Sequence, residues 1–468
     1  MLKLLILLNV FFVSFTDKPE KSAPALSERA IEQRTKWKIA TDELDFPVCT
    51  MYVDSLRRAG AKVYHTSRWF NGATVEMSDE LSKKVEEWKF VTKVEITRDD
   101  SPPGDFYIRR RQRAALENSN ETDATQALLS DKQLALYNLL PLHEMGYHGQ
   151  GILMTICDGG FYNADKLSYF RHEQELGHFD FTDDVDDFYG STGTHGTNCL
   201  STVTGITDQY RGAATQANYY LMRSEEDATE SPKEMDNLVA ALEKADSLGT
   251  NVFSVSLGYA YFDNDSWTLP YSALNGKATR VSRAATIAAR KGMLVCVAAG
   301  NEGDDEWHTI STPADADSIL TVGAVNVDGV IGSFSSFGPS YDGRIKPEVC
   351  AVGWKAAVIS LSGGVTYGNG TSYATPLIAG LAASLWSALP NENAMQIRER
   401  IIRSADRYSN PDTDQYGYGI PDAYAAYLDA TTSIVYPTST PSIKYIENNT
   451  LYIYRGGKTY TIFGTRAK

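Results

Sequence analysis

Between residues 131 and 430, short unbroken apolar runs alternate with longer amphipathic segments. Residues 151–157, 251–257, 293–298, 319–325 and 348–352 are runs rich in Val, Ile and Leu, which suits strands buried on both faces. Helix signals lie between them. Ser231-Pro232-Lys233-Glu234 combines a cap, a proline at the first helical position and a capping-box glutamate, and Gly249 closes that segment. Residues 278–291 form a second such segment, ended by Gly292. The alternation predicts an α/β fold, a doubly wound and mostly parallel sheet flanked by helices. Sites in such sheets lie at the carboxyl ends of the strands.

The flanks have other textures. The chain opens M-L-K and continues as an apolar run to about residue 16, which reads as a secretory signal rather than a membrane span and implies export. Residues 17–98 carry helix-like periodicity at 48–59 and 79–88 and strand-like alternation at 62–77, predicting a small α+β unit. Residues 99–130 form a polar linker that holds Arg109, Arg110, Arg111 and Arg113, either a processing site or a solvated charge run, and the sequon Asn120-Glu121-Thr122. Residues 431–441 are Thr/Ser/Pro-rich, and 450–463 alternate around Arg455-Gly456-Gly457-Lys458, a hairpin signal.

Composition narrows the function classes. The 468 residues are 43% hydrophobic and 22% charged, a globular balance with ample material for a core. Acidic residues number 59 against 44 basic ones, a net charge of -15, and no basic stripe interrupts that excess. A nucleic-acid partner is therefore not expected. Five cysteines show no C-x-x-C pair, and Cys157, Cys199 and Cys296 fall inside apolar runs as buried thiols.

Four residues carry candidate chemistry. Asp158 ends an apolar run before two glycines, His195 opens an apolar segment in G-T-H-G-T-N, and Ser372 stands at the first turn of a small-residue helix in G-N-G-T-S-Y-A-T-P. Pro376 is expected to be tolerated as part of that first turn. Asn301 ends a further apolar run in A-A-G-N-E-G. Each alone has an ordinary reading: a turn aspartate, a structural histidine, a helix cap, a loop asparagine. Together they supply a nucleophilic hydroxyl, an imidazole to take its proton, a carboxylate to orient the imidazole, and an amide donor for an oxyanion.

These motifs, with S-V-S-L-G at 254–258, resemble the subtilisin-like serine peptidases, the subtilases, over about residues 135–428. The resemblance implies a secreted endopeptidase with Ser372 as nucleophile, His195 as general base and acid, Asp158 as orienting carboxylate, and Asn301 as oxyanion donor. It implies that Ser256, Leu257 and Gly258 pair with substrate and line one wall of the specificity pocket, with Ala298, Ala299 and Gly300 on another. Gly159 departs from the Ser or Thr usual after the aspartate. No metal or cofactor is required for the chemistry; the acidic stretch Asp180, Asp183, Asp184, Asp186 and Asp187 lacks EF-hand spacing and reads as a solvated loop, and structural calcium is not assignable.

Residues 17–98 resemble subtilase propeptides, implying that the chain's own prodomain is a partner alongside protein or peptide substrates. The tail resembles short C-terminal segments of secreted Bacteroidetes proteins, which raises contact with secretion machinery. The implied location is secreted, cell-surface or periplasmic. The rival from another class is a catalytically inactive subtilase-like binding protein. A dinucleotide-binding oxidoreductase would need G-x-G-x-x-G after a strand, and none follows these runs.

Overall fold

The computed structural model describes residues 8–19, 22–99, 129–182, 187–190, 193–226, 229–432, 443–447, 450–455 and 458–461. Two compact units divide the chain, Met1–Ala426 and Tyr427–Lys468.

The first unit opens with a four-stranded antiparallel sheet of β1 (Leu8–Phe15), β2 (Lys62–Ser67), β3 (Gly72–Ser78) and β4 (Val91–Arg98), in the order β2-β3-β1-β4. Helices Thr50–Arg58 and Asp79–Glu86 fall where the periodicity puts them. The alternation at 62–77 is not one strand but a hairpin, because residues 68–71 turn between β2 and β3.

The larger correction concerns the apolar start. Leu8–Phe15, read as part of an export signal, is an inner strand bonded to β3 on one side and β4 on the other. Val10, Phe11, Phe12 and Val13 are buried. Phe11, Val13 and Phe15 join the prodomain's own core, while the Arg280 guanidinium lies 4.1 Å over the Phe12 ring on the opposite side. An inner strand buried on both faces is composed like a signal's apolar stretch, so composition could not separate the two. A boundary after residue 16 would strip the sheet of this strand.

The rest of the unit is built on seven parallel strands: β5 (Leu153–Asp158), β6 (Glu175–Asp180), β9 (Asn218–Arg223), β10 (Val252–Val255), β11 (Leu294–Ala298), β12 (Leu320–Val325) and β13 (Val349–Val352). Two-residue β7 (Ile206–Thr207) and β8 (Tyr210–Arg211) form a hairpin beside it, and β14 (Ala356–Ile359) pairs with β15 (Val365–Gly368). The sheet order is β13-β12-β11-β10-β5-β9-β6. The chain leaves β5 for the β6 edge, returns through β9, then crosses to β10, so direction reverses at β5.

Helix ends follow the sequence signals. Helix Pro232–Leu248 starts at Ser231, whose backbone N–H is taken by Glu234 at 3.0 Å, and stops at Gly249 in the left-handed region. Helix Arg280–Arg290 is capped by Thr279 rather than starting at 278.

The N-terminal α+β unit docks on these two helices through buried polar contacts. Glu243 accepts from Ser67 Oγ (2.5 Å), Arg68 N (2.9 Å) and Trp69 N (3.2 Å). Asp246 holds Arg34 at 2.7 Å and Arg68 at 2.5 Å, and Lys291 holds Asp45 at 2.9 Å. Trp69 joins the same buried cluster as Leu242, Phe253 and Ala285.

Within Tyr427–Lys468, the expected hairpin is present as β17 (Thr450–Arg455) and β18 (Lys458–Thr461), joined by a third strand, β16 (Ile443–Glu447). Among the described residues no helix is long and apolar enough to cross a membrane. Arg109 to Arg113, Asn120, Asp183, Asp184 and Asp186 lie outside the described residues.

Candidate active site

Asp158 closes β5, the strand at which the sheet reverses direction, where such folds place their sites. It is fully buried. Its Oδ1 accepts from Gly159 N at 2.8 Å and from His195 Nδ1 at 2.7 Å. Its Oδ2 has no partner among the described residues.

His195 opens helix His195–Thr204, and its side chain keeps 41% exposure toward the cleft. The helix comes this close because Gly196 follows: a Cβ there would stand 2.4 Å from Gly160 O and 2.8 Å from Asp158 Cβ. With Nδ1 on Asp158, Nε2 is the nitrogen left to exchange a proton. Burial disfavours the imidazolium, but the Asp158 carboxylate outweighs it and holds His195 well above the ordinary histidine value.

Ser372 is the second residue of helix Thr371–Ala388, after Gly370 at φ +152. Pro376 sits deeper than the first turn, and its missing N–H is the one that would have bonded the Ser372 carbonyl. Two side chains take that carbonyl instead, Ser256 Oγ at 2.8 Å and Cys199 Sγ at 3.3 Å. Cys199 is one turn after His195 and also lies 3.8 Å from its Nδ1. Burial pushes the Cys199 thiol up, so it stays an S–H donor. The histidine helix and the serine turn are thus tied through one side chain, a link that the sequence reading missed.

Asn301 is fixed by its carbonyl end. Its Oδ1 accepts from Thr371 N (2.8 Å) and Thr371 Oγ1 (3.0 Å), so Nδ2 faces away from the helix start. A Cβ on Gly370 would fall 2.7 Å from Ser372 Oγ and 3.6 Å from Asn301 Nδ2. Glycine leaves that volume, between hydroxyl and amide donor, open for an incoming group.

The six expected pocket residues divide. Leu257, Gly258 and Gly300 are half-buried, whereas Ser256, Ala298 and Ala299 are buried, Ser256 facing the Ser372 carbonyl. The segment 310–312 closes on both walls: Ser311 N donates to Ala299 O at 3.1 Å, and Tyr259 and Thr312 exchange backbone bonds at 2.8 and 3.0 Å. A Cβ at Gly258 would meet Ser311 Oγ at 2.1 Å. No run or motif marked 310–312 in the sequence.

A second carboxylate group adjoins the site. Glu225, Glu230 and Glu234 bring oxygens within 4.8 Å of one another, and Glu225 borders Gly159. Burial, then repulsion from Glu230, pushes Glu225 up to about 8.

A buried Asp–His pair at a sheet reversal, beside a serine on a helix start and an amide donor, is the equipment of a serine peptidase on a doubly wound sheet. Residues 149–419 match the model of the Subtilase family, Peptidase S8, and residues 10–118 match the Peptidase S8 propeptide domain of Bacteroidota. Among curated relatives, the chain is 26% identical to serine protease AprX of Bacillus subtilis (strain 168) over 355 residues, covering 68% of this chain and 72% of that one. It is 30% identical to subtilisin E of the same strain over 290 residues (61% and 68%). It spans only 26% of subtilisin-like protease SBT6.1 of Arabidopsis thaliana, at 28% identity. In solved structures it is similar to MycP1 from Mycobacterium smegmatis, with TM-score 0.52 and 20% identity over 66% of this chain and 88% of that one, a likeness of fold. The chain belongs to the subtilase family. It is a subtilisin-like serine endopeptidase with its own propeptide domain, of a family that needs no cofactor for catalysis.

Proposed function

We propose that this chain is the zymogen of an exported endopeptidase that cleaves peptide bonds through an acyl-enzyme on Ser372. The observation that carries the reading is the 2.7 Å Asp158–His195 contact, coupled through Cys199 to the Ser372 turn. His195 Nε2 takes the Ser372 proton as Oγ attacks the scissile carbonyl, and Asp158 stabilises the imidazolium. The oxyanion forms in the volume left open at Gly370, within reach of Asn301 Nδ2 and the Ser372 backbone N–H. His195 then protonates the leaving amine, and water repeats the sequence in reverse.

The prodomain supports a precursor. Its last strand ends at Arg98, which pairs with Glu226 at 2.7 Å, and Asp99 is bonded by Asn264 at 3.3 Å. Strand β4 thus ends against Glu226 and Asn264, and we assign the maturation cut to the linker that follows it. A peptidase held inactive until processed suits work outside the cytoplasm, and residues 431–468 are the segment we assign to sorting.

A serine-directed fluorophosphonate tests the core of this reading. The native chain should label and release peptide from casein, and Ser372→Ala should do neither. Equal labelling of the two proteins would instead favour the inactive binding protein.

A further inference from the structure

Away from the cleft, a cavity of about 370 Å3 is lined by His143, His148, Asp131, Asp208 and Arg211 among others. His143 is only 5% exposed. Its Nε2 donates to Ala213 O at 3.1 Å, and its Nδ1 has no partner among the described residues. The ring of His148 lies alongside, with centroids 4.6 Å apart. A backbone carbonyl on one ring nitrogen and a bare lone pair on the other is how metal-bound histidines are held, because the carbonyl fixes both tautomer and ring orientation.

We propose that His143 and His148 bind a borderline divalent cation of the zinc class, with water filling its remaining positions. Imidazole pairs select such ions over calcium or magnesium, which prefer oxygen. Burial, followed by His148, pushes His143 down to about 4, and burial with Arg211 and Arg171 lowers His148. Of the two arginines acting on the rings, Arg211 is held by Asp131 at 3.0 Å, and Asp208 adds a further negative charge to the same wall. The ion would fasten helix Leu140–Glu144 to the turn that carries His148 directly after it.

The test is calorimetric titration of full-length Ser372→Ala protein, stripped by chelator, with zinc chloride near neutral pH. One ion of micromolar affinity is expected, with the melting temperature rising as zinc is added. His148→Ala, at a half-buried position, should weaken binding by about ten- to a hundredfold, and His143→Gln should abolish it. Asp158, His195 and Cys199 also lie within 4.8 Å of one another, so a Cys199→Ser version is titrated in parallel and should keep the ion. No binding, or undiminished binding by a folded His148→Ala protein, overturns the proposal. So does loss of the ion with Cys199→Ser alone. The readout is binding, so it stands apart from whether Ser372 is the nucleophile.

Discussion

Ser256→Ala should slow acylation, and Pro376→Ala should rescue it. The Ser372 carbonyl cannot be bonded by residue 376, because proline has no N–H, and it is held by Ser256 Oγ at 2.8 Å and Cys199 Sγ at 3.3 Å. Removing Ser256 Oγ leaves a buried carbonyl with only a weak S–H donor. A buried acceptor left short costs about 1–3 kcal/mol. Taking about 2 kcal/mol, and a tenfold rate change per 1.4 kcal/mol, the turn that carries Ser372 is loosened enough to lower the labelling rate roughly thirtyfold. Cys199→Ala should cost less, since S–H is the weaker partner. In Pro376→Ala the helix regains the amide that bonds this carbonyl, and adding Ser256→Ala should then cost only about threefold, less than 1 kcal/mol. The assay is the second-order rate of fluorophosphonate labelling, with melting temperature followed alongside. An equal Ser256→Ala penalty in both backgrounds would refute the reasoning, because the serine would then be acting on substrate rather than on the carbonyl.

Three further outcomes follow from the same geometry. His195 must be neutral to act as base, and its pKa is raised, so kcat/KM should climb with pH through a midpoint above the ordinary 6.5 and fall away on the acid side; a midpoint near 6 would contradict the Asp158 coupling. Asn301→Asp keeps an acceptor for Thr371 N but replaces the amide donor with negative charge, so kcat should drop by about 10²–10³, the scale for losing an oxyanion donor in subtilisin, with little change in melting temperature. A fall in KM-dependent rate alone would argue against that role. Asp246→Ala removes the carboxylate shared by Arg34 and Arg68, leaving Arg34 on Asp45 and Arg68 on Ser247 Oγ and two backbone carbonyls, and should weaken prodomain attachment by about 1–3 kcal/mol, seen as earlier activity during maturation time courses; unchanged timing would mean the pairs contribute nothing.

The central strands of the large sheet were legible because each is mostly apolar and buried along its whole length, and the helices because Ser231, Glu234, Gly249 and Gly292 mark their ends. The β6 side was not. Glu175–Asp180 is half-exposed on an edge, and Asn218–Arg223 mixes asparagine, tyrosine and arginine, so neither makes an apolar run. The four candidate residues were singled out by type, order and position at element ends, and the structure puts Asp158 and His195 2.7 Å apart. The parts that hold them were not legible: Cys199 looks like core, Ser256 looks like a pocket wall, and the consequence of Pro376 appears only once its partner four residues back is seen to be bonded elsewhere. Long-range contacts of this kind leave no local pattern.

The ion pairs across the prodomain interface run both ways, with Arg34, Arg68 and Arg98 on the prodomain facing Asp246 and Glu226 on the enzyme, and Arg280 and Lys291 on the enzyme facing Glu95, Asp42 and Asp45. While the two stay packed, these charges are shielded from dissolved ions. Once parted, they face one another through water, where attraction fades over about 10 Å at 0.1 M salt. Ionic strength should therefore govern how fast a released prodomain finds its enzyme again, while scarcely touching how slowly it leaves. A saline surrounding would then act as a ratchet, making each separation harder to undo.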